Sequence, residues 1–410
     1  MDKKIKMLVI PSDSSGVGKF RSVSPHTYIA EHYSDEFDVD IMYLNDLPRT
    51  NLEDFFKQYD LIHIHKQLDK DMQLMGIIKF LSIPVIVDVD DYYYLGNDHP
   101  MSISARKEQW HVPIIKHLEA ADYVSTTTPI FAKELKKHNK NVLVFPNAID
   151  PTEEQYSQPK IESNKLRVGL VCGSSHLHDI ELMKNIASCA RPDTNVQLVL
   201  CGFDTNGVRT IYHTDTGQVE RRPIFPQESV WFEYEKLITD NYKYISKPHK
   251  DFLLKFMKGV DDPFTDEPYR RMWTRDINHY ATHYSNINVL LAPLKENDFN
   301  KMKSQLKEIE AGFTHTALIA QNFGAYTLDL TQFKESGGKI NENGTALLVD
   351  SRKNHKDWKK DIDFLAANPE YVKKLQDNLY NLVKDKYSLE TVCKQRVEAY
   401  KKIVADSIRA

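Results

Sequence analysis

Short aliphatic, β-branched runs recur along this chain at intervals filled by longer amphipathic stretches. KMLVIPS, DVDIMYL, LIHIH, PVIVDV, YVSTTT and NVLVFPN form one series before residue 150, and each has the length of a strand buried on both faces. Strands alternating with helices force a parallel sheet, because a parallel connection must cross over the sheet and so covers it. The segment DPTEEQYSQPKIESNK is polar and nearly free of aliphatic residues, so residues 151–165 read as a linker. A second series follows, LRVGLVCG, VQLVLCGF, INVLLAPL, TALIAQN and TALLVDS. The expectation is an α/β protein with two Rossmann-like doubly wound domains, residues 1–150 and 166–388.

Length agrees, since 410 residues at roughly 150 per domain favour two domains and leave room for a third. Residues 205–270 break the pattern with many Tyr, Phe and charged residues and weak periodicity, and read as an insertion or a helical excursion. After Asp357, Trp358, Ile362, Leu365, Leu375 and Leu379 fall at near-helical spacing. A last helix from about 389 to 410 follows, and it is expected to pack back on the first domain. Lys+Arg 54 against Asp+Glu 58 gives a net charge of −4, which provides no global field for nucleic acid. The four cysteines form no Cys-x-x-Cys pair and read as small core residues. The apolar run from Met7 to Ile10 is too short for a signal peptide, and no run reaches membrane-helix length. The protein is expected to work in the cytoplasm and, at most, to touch a membrane surface.

Several loops carry candidate chemistry. Gly16 and Gly18 follow the first strand in SDSSGVGKFRS, ahead of a helix, where glycine lets backbone amides approach an anion. The dinucleotide fingerprint is incomplete, because Phe20 and Arg21 follow where the third glycine would be near, so an ordinary tight turn is the competing reading. Asp88, Asp90 and Asp91 crowd the carboxyl end of the fourth strand, where open α/β sheets place ligands. Three carboxylates this close need solvation, hydrogen bonds or cations, although capping and turn formation by Asp91 also fit. No second acidic cluster has ligand spacing, so no metal site is expected.

The second domain opens with a strand, the turn Gly173, Ser174, Ser175, and His176 near the start of a helix. These amides and hydroxyls suit a phosphate. His178 reads as solvated or capping. Further on, a helix over KSQLKEIEAG would place Lys303, Lys307 and Glu310 on one face. Lysines in an opening turn oppose the helix dipole, so an external diphosphate would explain them, with Glu310 accepting hydrogen bonds from ribose hydroxyls. An exposed Lys-Glu ladder is the structural alternative.

Two Rossmann-like domains, LKEIEAG followed by TALIAQNFGAY, the turn NENGTALLVD and a tail with Tyr387 and Tyr400 together resemble the large retaining family of GT-B glycosyltransferases (group 1, family 4-like). The resemblance covers nearly the whole chain except 205–270 and is strongest from Asn288 to Asp350. It implies two domains facing across a cleft, and Glu310 as the second glutamate of a Glu-x7-Glu motif on the nucleotide ribose. Met302 stands where the first glutamate belongs, Thr314, His315 and Thr316 replace the usual Gly-x-Pro, and Asp90 takes the place of an active-site His. Ser174, Ser175 and His176 stand where the family uses Arg and Lys on phosphate, and Lys303 and Lys307 could supply that charge.

The resemblance implies a retaining hexosyltransferase using a UDP- or GDP-sugar donor, with a glycan or lipid-linked acceptor and no obligatory metal or other cofactor. The pathway would be cell-surface polysaccharide synthesis, with Asp90 receiving or positioning the acceptor hydroxyl. The departures at Met302 and Asp90 keep open a noncatalytic GT-B-like subunit that binds a glycan or a partner transferase. A dinucleotide oxidoreductase is disfavoured by the incomplete glycine fingerprint.

Overall fold

The computed structural model describes residues 3–67, 72–213, 215–239, 265, 267–350 and 355–409. Every strand anticipated in the two series forms. The chain divides into two compact units, one of residues 1–151, 296–309 and 383–410, the other of residues 152–295 and 310–382.

In the first unit β1 (Ile5–Ile10), β2 (Phe37–Ile41), β3 (Leu61–His65), β4 (Val85–Asp88), β5 (Tyr123–Thr126) and β6 (Val142–Val144) make a parallel sheet in the order β2-β1-β3-β4-β5-β6. Alternate side chains enter different cores. Leu8, Ile10, Ile62, Ile64, Val85 and Val87 face one, and Met7, Val9, Leu61 and Ile86 the other. The second core is closed by the helix Leu389–Arg409 through Val392, Cys393, Val397, Tyr400 and Ile403. Burial on both faces is why these strands read as unbroken apolar runs, and each such side chain contributes about 1.5–3 kcal/mol.

The second unit holds β7 (Leu166–Val171), β8 (Val196–Phe203), an antiparallel ribbon of β9 (Val208–Tyr212) and β10 (Val219–Pro223), and then β11 (Tyr269–Trp273), β12 (Val289–Ala292), β13 (Ala317–Gln321) and β14 (Leu347–Val349). Its main sheet is parallel in the order β11-β8-β7-β12-β13-β14. Residues 205–270 therefore hold more than weak periodicity suggests, namely the ribbon, a helix Val230–Thr239 and the start of the edge strand β11, while 214, 240–264 and 266 lie outside the described residues. Strand β11 has no apolar run because its inward residues include arginines. Arg271 pairs with Glu235 at 2.6 Å and lies 3.8 Å from the Phe203 ring centroid, and Arg270 donates to Asn286 at 2.9 Å. Beyond β14 come the helices Lys356–Ala367 and Pro369–Val383.

The polar segment 152–165 is fastened to the second unit. Tyr156 is buried, and the Lys160 ammonium donates to the carbonyls of Tyr284 at 2.8 Å and Ile287 at 2.9 Å and to the Thr316 hydroxyl. Burial lowers this amine to about 7. Lys160→Ala is expected to destabilise the second unit by about 1–3 kcal/mol, because it leaves buried acceptors unpaired. Thermal unfolding followed by calorimetry checks this.

All four cysteines are free, three buried and Cys172 half-buried. No helix among the described residues is long and apolar enough to cross a membrane.

Candidate functional site

In both sheets the strand order reverses beside the first strand. The chain runs from β1 to β2 on one side and returns to β3 on the other, as it runs from β7 to β8 and later returns to β12. Crossovers leaving opposite sides open a crevice at the carboxyl ends of such strands, and ligands of open α/β sheets bind there. Of the sequence candidates, Gly16, Gly18 and Arg21 follow β1 and Gly173 to His176 follow β7, while Asp88, Asp90 and Asp91 lie at the end of β4, two strands from β1.

In the first unit Ser12 follows β1, His65 ends β3, and Asp88, Asp90 and Asp91 close β4. Asp88 is fully buried. It accepts from Arg21 Nε at 2.9 Å, Arg21 Nη2 at 2.7 Å and the Ser125 hydroxyl at 2.6 Å. Burial opposes its ionisation, but the Arg21 charge and hydrogen bonds win and hold the carboxyl well below the usual range. Arg21 also donates to the Phe145 carbonyl at 2.6 Å and to Asn147 at 3.1 Å, and Asn147 donates to the Ser304 hydroxyl at 3.0 Å. Arg21 is thus an internal brace, tying the first loop to β4 and to the segment that carries Lys303.

Asp90 is 12% exposed, and its Oδ1 accepts from Lys66 at 3.0 Å and lies 3.2 Å from His65 Nε2. His65 Nδ1 lies 3.1 Å from the Ser12 hydroxyl. Burial opposes ionisation of Asp90, and Lys66 with His65 overrides it, so this carboxyl stays charged far below the usual range. Asp91 is 38% exposed and stands 3.8 Å from Lys66, outside hydrogen-bond distance. Burial and the Asp90 charge raise its carboxyl, against the lowering pull of Lys66 and Lys303.

The loop after β1 supplies its own anion. Gly16–Gly18 is a helical turn followed by a π-helical stretch, Lys19–Val23, and the helix Ser24–His32. The Asp13 carboxylate accepts from the amides of Ser15 at 2.8 Å and Gly18 at 3.3 Å. Burial alone would raise Asp13, and the bonds from Ser15, Ser12 and Gly18 lower it overall. Glycine is required at 18 because a Cβ there would collide with the Asp13 carbonyl.

In the second unit the turn after β7 sits at the corresponding reversal. Gly173 and Ser174 are exposed, Ser175 and His176 half-buried. Asp179 anchors the turn by accepting from His176 Nδ1 at 2.8 Å and from the Lys295 amide at 2.8 Å, and the Gly173 carbonyl accepts from Tyr234 at 2.9 Å. Gly173 has φ −88° and ψ 174°, open to any residue, and a Cβ there would meet nothing within 4 Å. The fold gives no reason for glycine at 173. His178 is buried, 3.5 Å from Asp179, rather than solvated.

The lysine-bearing segment departs from expectation. The helix spans Leu306–Phe313, so Lys303 lies ahead of it and does not share a helical face with Lys307 and Glu310. A separate turn, Asp298–Lys301, is capped by Asn297 and ends at Met302, and Gln305 is tied to the Tyr387 hydroxyl at 2.8 Å, which delays the helix start. Lys303 sits 5.3 Å from the Phe299 ring centroid. Lys307 is half-buried in the first helical turn. Glu310 is fully buried, with one carboxylate oxygen on the Tyr280 hydroxyl and the other on Tyr284 at 2.6 Å. A ribose hydroxyl would have to displace one of these tyrosines. Burial, then the Glu310 charge, raises both phenols well above their ordinary value.

Sequence reasoning missed Lys66, His65 and Ser12. The polar step HK where LIHIHK leaves a wholly buried strand was the available signal. Tyr280 and Tyr284, in a 3₁₀ stretch with no apolar period, gave none. Among the described residues no group of three His, Cys, Asp or Glu could hold a metal ion.

No protein-family model and no curated protein matches this sequence. Solved structures do. Sucrose-phosphate synthase from Thermosynechococcus elongatus superposes with a TM-score of 0.61 at 16% identity, covering 98% of this chain and 100% of that one. Anabaena Alr3699/HepE in complex with UDP and glucose gives 0.62 at 12% identity, with 97% and 100% covered. The catalytic domain of starch synthase IV from Arabidopsis thaliana bound to ADP and acarbose gives 0.57 at 11%, with 98% and 100% covered. The chain has the GT-B fold that these proteins share. A fold hosts many chemistries, so the activity must be argued from the residues.

Proposed function

We propose that this chain is a nucleotide-sugar-dependent glycosyltransferase, moving a hexosyl unit from a UDP- or GDP-sugar to a glycan or lipid-linked acceptor with retention. The observation that carries the reading is Gly173. At the strand-order reversal of the second unit stands a Gly-Ser-Ser turn, exposed at Gly173 and Ser174, whose glycine serves no folding need and leaves room for a ligand phosphate to approach the backbone. The likeness to proteins with UDP and glucose or ADP bound supports a nucleotide as that ligand.

In this reading Gly173, Ser174, Ser175 and His176 receive the diphosphate, and Lys303 and Lys307 balance its charge. Departure of the nucleotide puts negative charge on the diphosphate, and preorganised amides and ammonium groups stabilise that charge more than they stabilise the intact donor. Glu310 holds the ribose after one tyrosine gives way. Gly16, Gly18 and Arg21 shape the first loop, and Asp90 belongs to the acceptor side. The work belongs in the cytoplasm, in cell-surface polysaccharide synthesis, with peripheral membrane contact where the acceptor is lipid-linked.

Calorimetric titration with UDP, GDP and ADP is expected to show micromolar binding of one nucleotide, weakened at least tenfold in Lys307→Ala with unfolding unchanged. A folded protein that binds none of the three would overturn the reading and favour a noncatalytic subunit.

A further inference from the structure

The carboxylates after β4 are not equivalent. Asp88 is spent on Arg21, inside the protein. Asp90 is nearly buried, and the oxygen that meets Lys66 also meets His65. Its charge is compensated at hydrogen-bond distance, which makes it a weak acceptor for any further hydroxyl. Asp91 differs in each respect. It is three times as exposed as Asp90, 38% against 12%, and Lys66 reaches it only at 3.8 Å. Partial burial and then the neighbouring Asp90 charge make it the more basic of the two. It also stands at the carboxyl edge of the sheet, after β4 and one strand from the reversal between β1 and β3.

We propose that Asp91, rather than Asp90, accepts the hydrogen bond of the acceptor's attacking hydroxyl and orients that oxygen toward the sugar, while Asp90 and Lys66 act through it as positioning residues. This rests on the glycosyltransferase reading above. As the acceptor oxygen bonds to the anomeric carbon, the bond from that carbon to the diphosphate breaks, its electron pair leaves with the nucleotide, and the hydroxyl proton passes to the Asp91 carboxylate; losing such a group typically costs on the order of 100-fold or more in rate. The titratable and charged groups facing Asp91 are Asp90 beside it, Lys66 and His65 from the end of β3, and Lys303 from the segment before the helix Leu306–Phe313. Burial and Asp90 raise its carboxyl overall. The rate should therefore fall with acid at a pH above the ~3.9 of an ordinary aspartate. Removing the Asp90 charge should move that limb down.

The test uses the full chain, the nucleotide selected by calorimetry, and that nucleotide's glucose, galactose and N-acetylglucosamine conjugates, with water or octyl glucoside as acceptor. Asp91→Asn should bind the nucleotide like wild type and lose turnover about 100-fold. Asp90→Asn should keep measurable turnover with its acid limb displaced to lower pH. Nucleotide binding with unchanged turnover in Asp91→Asn would overturn this inference alone. A wild type that binds the nucleotide yet turns over none of the conjugates, even to water, also counts against it. A protein that binds no nucleotide fails at the reading beneath it.

Discussion

Asp88→Ala is expected to lower the stability of the first unit by about 3–5 kcal/mol, the cost of leaving a buried charge without its partner. The stranded charge is the Arg21 guanidinium, fully buried and bidentate on Asp88 in the native protein. At roughly 2–4 °C per kcal/mol for a unit of this size, its unfolding transition should fall by about 6–20 °C. The pH dependence has a definite sign. The folded carboxyl lies below the unfolded value of about 3.9, so its stabilisation is complete above that pH and is lost as pH falls toward the folded value. Wild type should lose stability on acidification below about pH 4, and Asp88→Asn should lack that part of the slope. Calorimetric scans from about pH 2 to pH 7 measure both. Equal transitions for wild type and Asp88→Ala would mean that the pair stabilises nothing. The ion pair also leads through Asn147 to Ser304, so the variant should loosen the segment that presents Lys303.

Gly173→Ala should produce the opposite pattern. Its backbone angles suit alanine and its Cβ would enter open space, so the unfolding transition should stay within error of wild type or rise slightly as the unfolded chain loses freedom. If a phosphate approaches this backbone, one methyl group displaces it, and nucleotide affinity should drop about 10- to 100-fold, with Gly173→Val worse than Gly173→Ala. Unaltered affinity in both variants would remove the turn from the donor site. Together the two substitutions separate a residue that holds the protein together from one that the fold leaves to a ligand.

The two sheets were legible because strands buried on both faces must be apolar throughout, and such runs are visible one residue at a time. Candidate loops were legible for the same reason, since they follow directly from where each run stops. Strand β11 was not, because Arg270 and Arg271 are held inside by Asn286 and Glu235, partners that no local pattern announces. Lys303 was misplaced on the following helix because helical spacing carries no record of the Asn297 cap and the Gln305 to Tyr387 bond that delay its start.

The sequence alone determined the alternation of strand and helix, the two parallel sheets and the short list of polar loops at their edges, since periodicity and breaker residues act locally. Only the tertiary structure decided which of those polar groups are spent inside. Arg21 and Asp88 are 67 residues apart in sequence and 2.7 Å apart in space, and Glu310 meets tyrosines 26 and 30 positions before it. A buried charge is stable only with its partner at contact distance, and folding rather than composition supplies that partner.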